Sequence, residues 1–291
     1  MLEEAVNSLV KNVDGNYVDC TFGQGGHSKK ILEAITTKGH LTSFDLDEIA
    51  QIEANKIPNK NFIFYKDNFK NISKYFSADS LDGILIDCGV SSPQLDIAKR
   101  GFSFMRDGPL DMRFGKSIES TCEEIVNSYS LEQLAFIFKN LGEDKEAKRI
   151  ANEIVNRRKV KKISSTKELS ELIAGIKRES KKKNPSTKIF QALRMEVNQE
   201  LENLKLCLES AKNLLKRDGH LVVISFHSLE DRVVKNLFKD KGLLHEKDLP
   251  LYGHQMTKNS FILSKVKLPS SCEIGSNRRA RSAKMRIIKK L

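Results

Sequence analysis

A glycine-rich turn between an apolar run and a helical run restricts the fold more than any other feature. "YVDC" at residues 17–20 is followed by "TFGQGG" at 21–26, with three glycines in four positions, and then by the helical pattern "SKKILEAI". Glycines there let the backbone pass close to a ligand, and the start of a helix offers free N–H groups. This strand, turn and helix predict a nucleoside-containing ligand at the edge of a parallel sheet.

Short apolar runs of strand length recur around this turn. "NYVDC", "HLTSFDLD", "NFIFYKD" and "LDGILID" lie in the first ninety residues, "HLVVISF" lies near residue 220, and "SFILSKV" and "KMRIIKK" are weaker candidates. Unbroken apolar runs are typical of strands covered on both faces. Residues from about 118 to 215 instead have helical spacing. The pattern predicts one α/β domain interrupted after its fourth strand by a helical insertion.

The segment from Cys88 to Phe114 is longer than an ordinary loop and is rich in Gly, Pro, Ser and Arg. Its several Phe and Met side chains make it too apolar for a disordered linker, so we expect it to cover a site. We predict a first part of the α/β domain at 1–103, a helical insertion at 104–208, and a second part with a basic C-terminus at 209–291.

Charge and cysteine content narrow the class of protein. Lys and Arg outnumber Asp and Glu by 50 to 38, with basic clusters at 157–183 and 277–291. This excess favours a polyanionic partner, although a solvated Lys-rich surface is an alternative. Five scattered cysteines without a C-x-x-C pair, and histidines without a carboxylate cluster, argue against a disulfide framework or a metal site. We expect a cytoplasmic protein without a membrane segment, and leave open whether it is a monomer or a homodimer.

The residues after the second and third strands bear on which ligand the turn binds. Asp45 ends the second strand, where an acidic residue commonly bonds ribose hydroxyls. A dinucleotide fingerprint would require a third glycine where Ser28 stands, so S-adenosylmethionine fits better. Phe69, past the third strand, could be the wall for adenine or a core side chain.

Five longer motifs resemble one known family. These are "DCTFGQGGHS", "DGILIDCGVSSPQLDIAKRGFSFMRDGPLDMRF", "FQALRMEVNQEL", "LVVISFHSLEDRVVK" and "NRRARSAKMR". In this order, over almost the whole chain, they are similar to the bacterial 16S ribosomal RNA cytosine-N4 methyltransferases. Two departures are the start at Met1, without the histidine-containing segment that family members usually have, and Arg278, where a proline is common.

The resemblance implies a Rossmann-like class I methyltransferase sheet with a helical insertion, and transfer of a methyl group from S-adenosylmethionine to N4 of a cytidine in the decoding region of 16S rRNA. Carried over to this sequence, the cofactor contacts are Gly25, Gly26, His27, Asp45, Phe69, Asp87 and Gln94.

The chemistry of amino methylation suggests further roles. Positioning nitrogen, methyl carbon and sulfur in line is the main requirement, and an acceptor for the amino hydrogen assists. Asp87, which ends the fourth strand, can serve the cofactor, the amino group or both. Its alternative role is to cap the next turn. His227 follows the fifth strand and can contact the substrate, while Ser228 with Asp231 is an alternative helix cap. Candidate RNA contacts are Arg100, Phe102, Arg113, Arg194 and Phe226; the aromatic side chains could equally be core residues.

Three other functions use the same features. An NAD-dependent oxidoreductase would also use the glycine turn and Asp45. A non-catalytic RNA-binding ribosome-assembly factor would keep the fold without the reaction. A methyltransferase could also act on another base or on DNA. These differ in the ligand that is bound and in the nucleoside that is formed.

Overall fold

The computed structural model describes residues 1–177, 184–239 and 260–291, so residues 178–183 of the basic tract lie outside the described residues. The chain divides into two units. Met1–Gly89 together with Leu201–Leu291 forms a sheet unit, and Val90–Glu200 forms a helical unit.

The sheet unit contains a seven-stranded sheet in the order β3-β2-β1-β4-β5-β7-β6. The first five strands in sequence pair in parallel, whereas β7 is antiparallel to both of its neighbours. The strands predicted from the apolar runs, including the two weaker candidates, are therefore confirmed. Their bounds are β1 Asn16–Asp19, β2 His40–Phe44, β3 Phe62–Tyr65, β4 Leu81–Asp87, β5 Leu215–Ser225, β6 Phe261–Leu263 and β7 Lys284–Lys290.

Twelve α-helices lie in the described part of the chain. They are α1 Leu2–Leu9, α2 Gly26–Ala34, α3 Glu48–Ala54, α4 Ser92–Asp96, α5 Cys122–Ser128, α6 Leu131–Asn140, α7 Ala147–Val160, α8 Thr166–Ile176, α9 Thr187–Asn198, α10 Glu200–Leu214, α11 Ser228–Phe238 and α12 Ser271–Ser276. Short 3₁₀ helices occupy Phe69–Lys74, Ala98–Arg100 and Arg278–Ser282. No helix among these is long and apolar enough to cross a membrane.

Alternation along the central strands gives the sheet two apolar faces. Ile84 and Ile86 of β4 pack in one core cluster with α10 and α11, whereas Leu85 packs in the other with α1 and α2. Successive side chains of a strand point to opposite faces, so a strand covered on both faces is apolar at every position. This explains why "LDGILID" has no polar residue between Asp82 and Asp87.

The helical unit has a hydrophobic core of its own. Phe102, Leu110 and Met112 of the long segment are buried in it with side chains of α5 to α9. The same segment bonds to the start of α8, where Leu110 N donates to Ser164 O at 3.3 Å and Thr166 N donates to Gly108 O at 2.9 Å. The segment from residue 90 therefore belongs to the helical unit.

The unit boundaries differ from the predicted ones. The prediction placed them after residues 103 and 208, and the structure places them after Gly89 and Glu200. At the first boundary, Phe102 packs into the helical core. At the second, Leu204 and Cys207 of α10 pack against the sheet. The predicted fold class is confirmed: an α/β, Rossmann-like sheet interrupted by a helical insertion after β4.

Candidate active site

The glycine turn joins β1 to α2 with an unusual backbone. Gly25 has a φ of 77° and precedes the first residue of α2. A Cβ on Gly25 would lie 2.7 Å from the ring of Phe22, whereas a Cβ on Gly26 would meet no atom within 4 Å. Gly25 is thus required by the conformation of the turn. Gly26 faces open space, and at this point a ligand can approach the start of the helix.

A buried hydroxyl network fixes this turn to two strands. Ser28 Oγ donates to Asp19 Oδ2 at 2.6 Å and lies 2.9 Å from Ser43 Oγ, and all three side chains are buried. Because Ser28 gives its only hydrogen to Asp19, Ser43 must donate to Ser28. Burial raises the pKa of Asp19, and the nearby His27 opposes that shift. Sequence reasoning missed Asp19, although its signal is an acidic residue ending the strand before a glycine turn.

Asp45 lies directly after β2 and holds the other side of the turn. Its Oδ2 accepts a hydrogen bond from Gly23 N at 2.7 Å, and its Oδ1 accepts one from Asp47 N at 2.9 Å. Burial raises the pKa of Asp45 to about 6. Each carboxylate oxygen has a second lone pair, so this group can still accept hydrogen bonds from ribose hydroxyls.

His27 and Asp87 form a pair at the carboxyl ends of the central strands. His27 Nδ1 lies 3.6 Å from Asp87 Oδ2, and Asp87 N donates to Thr21 Oγ1 at 2.7 Å. Burial raises the pKa of Asp87 to about 6; His27 opposes the shift, and Asp19 and Glu230 add to it. In the described part of the chain, the buried Nε2 of His27 and Oδ1 of Asp87 have no hydrogen-bond partner. Such atoms are costly unless a ligand or water satisfies them.

The end of β5 brings a second histidine to the same sheet edge. His227 is the N-cap residue of α11, and its Nε2 lies 2.9 Å from Oε1 of Glu230, whose side chain is buried. Glu230 Oε2 accepts hydrogen bonds from Phe226 N at 2.8 Å and His227 N at 3.3 Å. Glu230 therefore fixes the backbone at the start of α11, whereas the buried ring nitrogens of His227 have no hydrogen-bond partner among the described residues.

The alternative prediction, that Ser228 caps α11 with Asp231 as its partner, is wrong by one residue. His227 and Glu230 occupy the N-cap and N3 positions instead. Asp231 forms a two-bond pair with the guanidinium of Arg286 on β7, at 2.5 and 3.2 Å. The sequence analysis did not single out Glu230. Its position three residues after the N-cap residue His227 is the pattern that could have identified it.

Phe226 and Phe69 differ in surroundings. Phe226 is half-buried, and a Cβ on Gly89 would lie 3.4 Å from its ring, so the ring covers the backbone just after Asp87. Phe69 begins a 3₁₀ helix after β3 and is partly buried against the core cluster that contains Phe44 and Ile72. Phe69 therefore has core contacts, and its place beside the adenine stays a prediction.

Comparisons with known proteins identify the family to which these residues belong. A sequence profile of the MraW methylase family matches residues 1–291. The chain belongs to the MraW methylase family. It is 44% identical, over 100% of its length and 98% of the relative's, to the Ribosomal RNA small subunit methyltransferase H of Caldicellulosiruptor saccharolyticus. The predicted family is thereby confirmed, and the chain is an S-adenosylmethionine-dependent methyltransferase.

The solved structures that match this chain have much lower sequence identity to it than that relative. An rRNA methylase from Streptococcus thermophilus matches with a TM-score of 0.43 and 10% identity, covering 100% of this chain and 93% of that chain. TrmN from Thermus thermophilus matches with a TM-score of 0.44 and 10% identity, covering 100% of this chain and 48% of that chain. Likeness at this level does not bear on the substrate.

The residues of the sheet unit fit the methylase cofactor. S-adenosylmethionine carries a positive sulfonium and an ammonium group, and when bound it supplies an activated methyl group. The carboxyl groups of Asp19, Asp45 and Asp87 lie around the glycine turn. The unpartnered Oδ1 of Asp87 can accept a hydrogen bond from such a ligand, and the unpartnered Nε2 of His27 can form one with it.

The remaining predicted site residues lie in the helical unit, where they bond within that unit. Gln94 is buried and its Oε1 accepts from Ser91 N at 2.9 Å. Arg100 donates to the carbonyls of Arg113 and Phe114. Phe102 is 6% exposed and its ring stacks on that of Phe114 at 5.7 Å, so it is a core side chain.

The other two arginines of the helical unit have carboxylate partners. Arg113 holds Asp111 through two nitrogens, at 2.8 and 3.0 Å, and donates to Ile118 O. Arg194 holds Glu200 in the same way, at 2.7 and 2.8 Å. Their predicted RNA contacts stay predictions, and these guanidinium groups organise the MraW helical unit itself.

Proposed function

We propose that this methylase transfers a methyl group from S-adenosylmethionine to the N4 amino group of a cytidine in the decoding region of 16S rRNA, within the small ribosomal subunit in the cytoplasm. The observation that carries the proposal is the 44% identity, over the full chain, to a relative named for methylation of small-subunit rRNA. The choice of N4 and of the decoding region follows from the resemblance of the long motifs.

The proposal assigns distinct roles to the site residues. Gly25, Gly26, His27 and Asp45 hold the cofactor, with Phe69 beside the adenine and Gln94 as a further contact. Asp87 accepts a hydrogen bond from the amino group or from the cofactor, and this role is supported by its buried, unpartnered Oδ1. His227 contacts the base or a neighbouring phosphate, and this role is supported by its buried ring nitrogens, which have no hydrogen-bond partner among the described residues.

Orientation is the main catalytic contribution in this proposal. The lone pair of a cytosine amino group is delocalised into the ring, so the nucleophile gains most from being held in line at near-attack distance. Phe226 covers the backbone after Asp87 and is the candidate ring for the swung-out base. The helical unit, with Arg100, Arg113 and Arg194, is the candidate region for RNA recognition.

Methyl transfer to undermethylated subunits tests the proposal. Small subunits from a strain lacking this protein are incubated with the purified chain and labelled S-adenosylmethionine, and the rRNA is digested to nucleosides for mass spectrometry. We expect label in N4-methylcytidine, at no more than one methyl group per subunit, and loss of this label with Asp87→Ala. Label in another nucleoside would contradict the proposed base, and binding without transfer would favour an assembly factor.

A further inference from the structure

We propose that Arg278, Arg281 and Lys284 form a phosphate-binding surface for the RNA strand beside the target nucleotide. The inference rests on the proposed function and adds to it a second RNA contact, formed by the sheet unit itself. Arg278 and Arg281 lie in the 3₁₀ helix Arg278–Ser282, and Lys284 begins β7.

The three-residue repeat of this 3₁₀ helix and its flanking residues gives one buried row and two exposed rows of side chains. Ala280 and Ala283 are 5% and 2% exposed and anchor the inner side, and Ala283 joins the apolar cluster of Met1 and Ala5. Arg278 and Arg281 are exposed. Because residues i and i+3 of a 3₁₀ helix lie one above the other, the two guanidinium groups share one outer face.

This arginine pair is carried by an ordered element. Asn277 caps the 3₁₀ helix by accepting a hydrogen bond from Arg279 N at 3.1 Å. Ala280 N donates to Asn277 O at 3.0 Å, and Ala283 N donates to Ala280 O at 2.9 Å. The backbone that carries the arginines is therefore ordered and is not a free tail, which lowers the entropy cost of binding a phosphate backbone.

The direction of β7 brings this element to the active-site edge of the sheet. Because β7 is antiparallel, its first residue Lys284 pairs with Ser225, the last residue of β5. In turn, Ile224 pairs with Asp87 on β4. Neighbouring strands lie about 4.8 Å apart, so the start of β7 is about 10 Å from the backbone of Asp87.

Three of the four basic residues of β7 have carboxylate partners, and the exception among the described residues is Lys284 at the active-site end of the strand. At the far end, Lys289 pairs with Asp218 at 2.6 Å and Lys290 pairs with Asp79 at 2.8 Å. Among the described residues, Arg278 and Arg281 have no acidic partner. Arginine forks match the geometry of phosphate oxygens, and such contacts fix the register of a nucleic acid on a protein.

A salt titration with a matched control on the same strand tests this surface. Binding of protein-free 16S rRNA is measured at several salt concentrations for the wild type, R278Q/R281Q and K289Q. Each phosphate contact to a single strand contributes about 0.7 to the slope of log K against log salt, so we expect the double variant to lower the slope by about 1.4. K289Q should leave the slope unchanged, because Lys289 lies at the opposite end.

Kinetics with small subunits separates a docking role from a general defect. We expect R278Q/R281Q to raise the KM for subunits about 10-fold or more, while the KM for S-adenosylmethionine and the kcat at saturation stay unchanged. R278K/R281K keeps both charges and should retain most of the wild-type slope. If the arginine substitutions acted by misfolding the 3₁₀ helix, this variant should lose slope as R278Q/R281Q does.

An equal slope for the wild type and R278Q/R281Q would overturn the proposal. A raised KM for subunits with an unchanged slope on free RNA would also overturn it, because the surface would then contact a ribosomal protein. Absence of methyl transfer by the wild type would instead reject the proposed function, while the slope would still report on the surface.

Discussion

Two aspartates of strand β4 show how surroundings decide what a carboxylate does. Partial burial alone would raise the pKa of Asp82, but hydrogen bonds from Lys216 Nζ at 2.6 Å and Asn16 N at 2.9 Å outweigh it and lower that pKa. Asp87, five positions later, keeps a buried oxygen without a partner, and burial raises its pKa to about 6. The first carboxylate stabilises the fold, and the second is held ready for a ligand.

Replacing Asp87 should stabilise the cofactor-free protein. Folding raises the pKa of the Asp87 carboxyl from 3.8 to about 6, so the ionised carboxylate is less favourable in the folded protein than in the unfolded chain. The ionised group therefore lowers the free energy of unfolding, by an amount that grows from pH 3.8 to about pH 6 and is constant above that. We expect D87N to unfold with a free energy higher by about 1–3 kcal/mol at pH 8, and with little difference near pH 4. Urea denaturation at both pH values measures this.

Asp82→Asn is the matched control for that experiment. In the wild type, folding lowers the pKa of the Asp82 carboxyl. The ionised Asp82 therefore stabilises the folded protein above the pKa it has in the unfolded chain, and this stabilisation is lost as the pH falls. D82N should therefore be less stable than the wild type at pH 8. If D87N were also less stable at pH 8, Asp87 would be a structural residue and not a ligand-binding one.

At the scale of elements, two glycines of the turn have different roles that the sequence alone does not distinguish: one allows the backbone conformation, and the other leaves space for a ligand. Gly25 satisfies the backbone, since its φ is 77° and its neighbour Phe22 leaves no room for a Cβ. Gly26 leaves open space at the start of α2. The spacing of the glycines predicted a turn beside a ligand, but it could not distinguish these two roles.

Alanine at each position should therefore have different effects. G25A should destabilise the protein by about 1–3 kcal/mol, because alanine is strained at positive φ. G26A should leave stability nearly unchanged, because alanine is a good helix former, and should weaken S-adenosylmethionine binding by about 10-fold or more. Thermal unfolding and isothermal titration measure the two effects. A G26A variant with wild-type affinity would show that the cofactor does not approach this point.

The start of α11 shows where sequence prediction of an element ends. Both His227-x-x-Glu230 and Ser228-x-x-Asp231 have the spacing of a cap and its N3 partner. The structure uses the first, because β5 ends at Ser225 and the side chain of Glu230 folds back under Phe226 and His227. Asp231 then pairs with Arg286 of β7, a residue far away in sequence that no local pattern could identify.

At the scale of the whole molecule, the strands and the insertion could be predicted but the boundaries could not. Apolar runs identified the strands of the parallel sheet because both faces are covered. The segment after Cys88 is apolar too, yet spacing alone cannot tell whether Phe102 packs on the sheet or on the helices. The tertiary contacts of Phe102, Leu110 and Met112 decide this in favour of the helical unit.

The two hydrophobic cores should open separately. Cys207 is buried in the sheet unit, with its Sγ 3.8 Å from that of Cys20, and Cys122 is buried in the helical unit; Cys272 is exposed. We expect a water-soluble thiol reagent to label Cys272 at once in the native protein. In increasing urea, Cys122 and Cys207 should become reactive at different concentrations, because domains with their own cores can unfold as units. Mass spectrometry of labelled peptides measures this, and coincident labelling would mean that both units unfold together.

The location of β7 also has a consequence for how the protein is made. This strand is synthesised after the other six, yet it lies between β5 and β6 and pairs with both. Until Lys284–Lys290 leaves the ribosome, the nascent chain carries an open edge on β5 that can pair with other polypeptides. A chain interrupted before this point would therefore be prone to aggregate, however well its first five strands had formed.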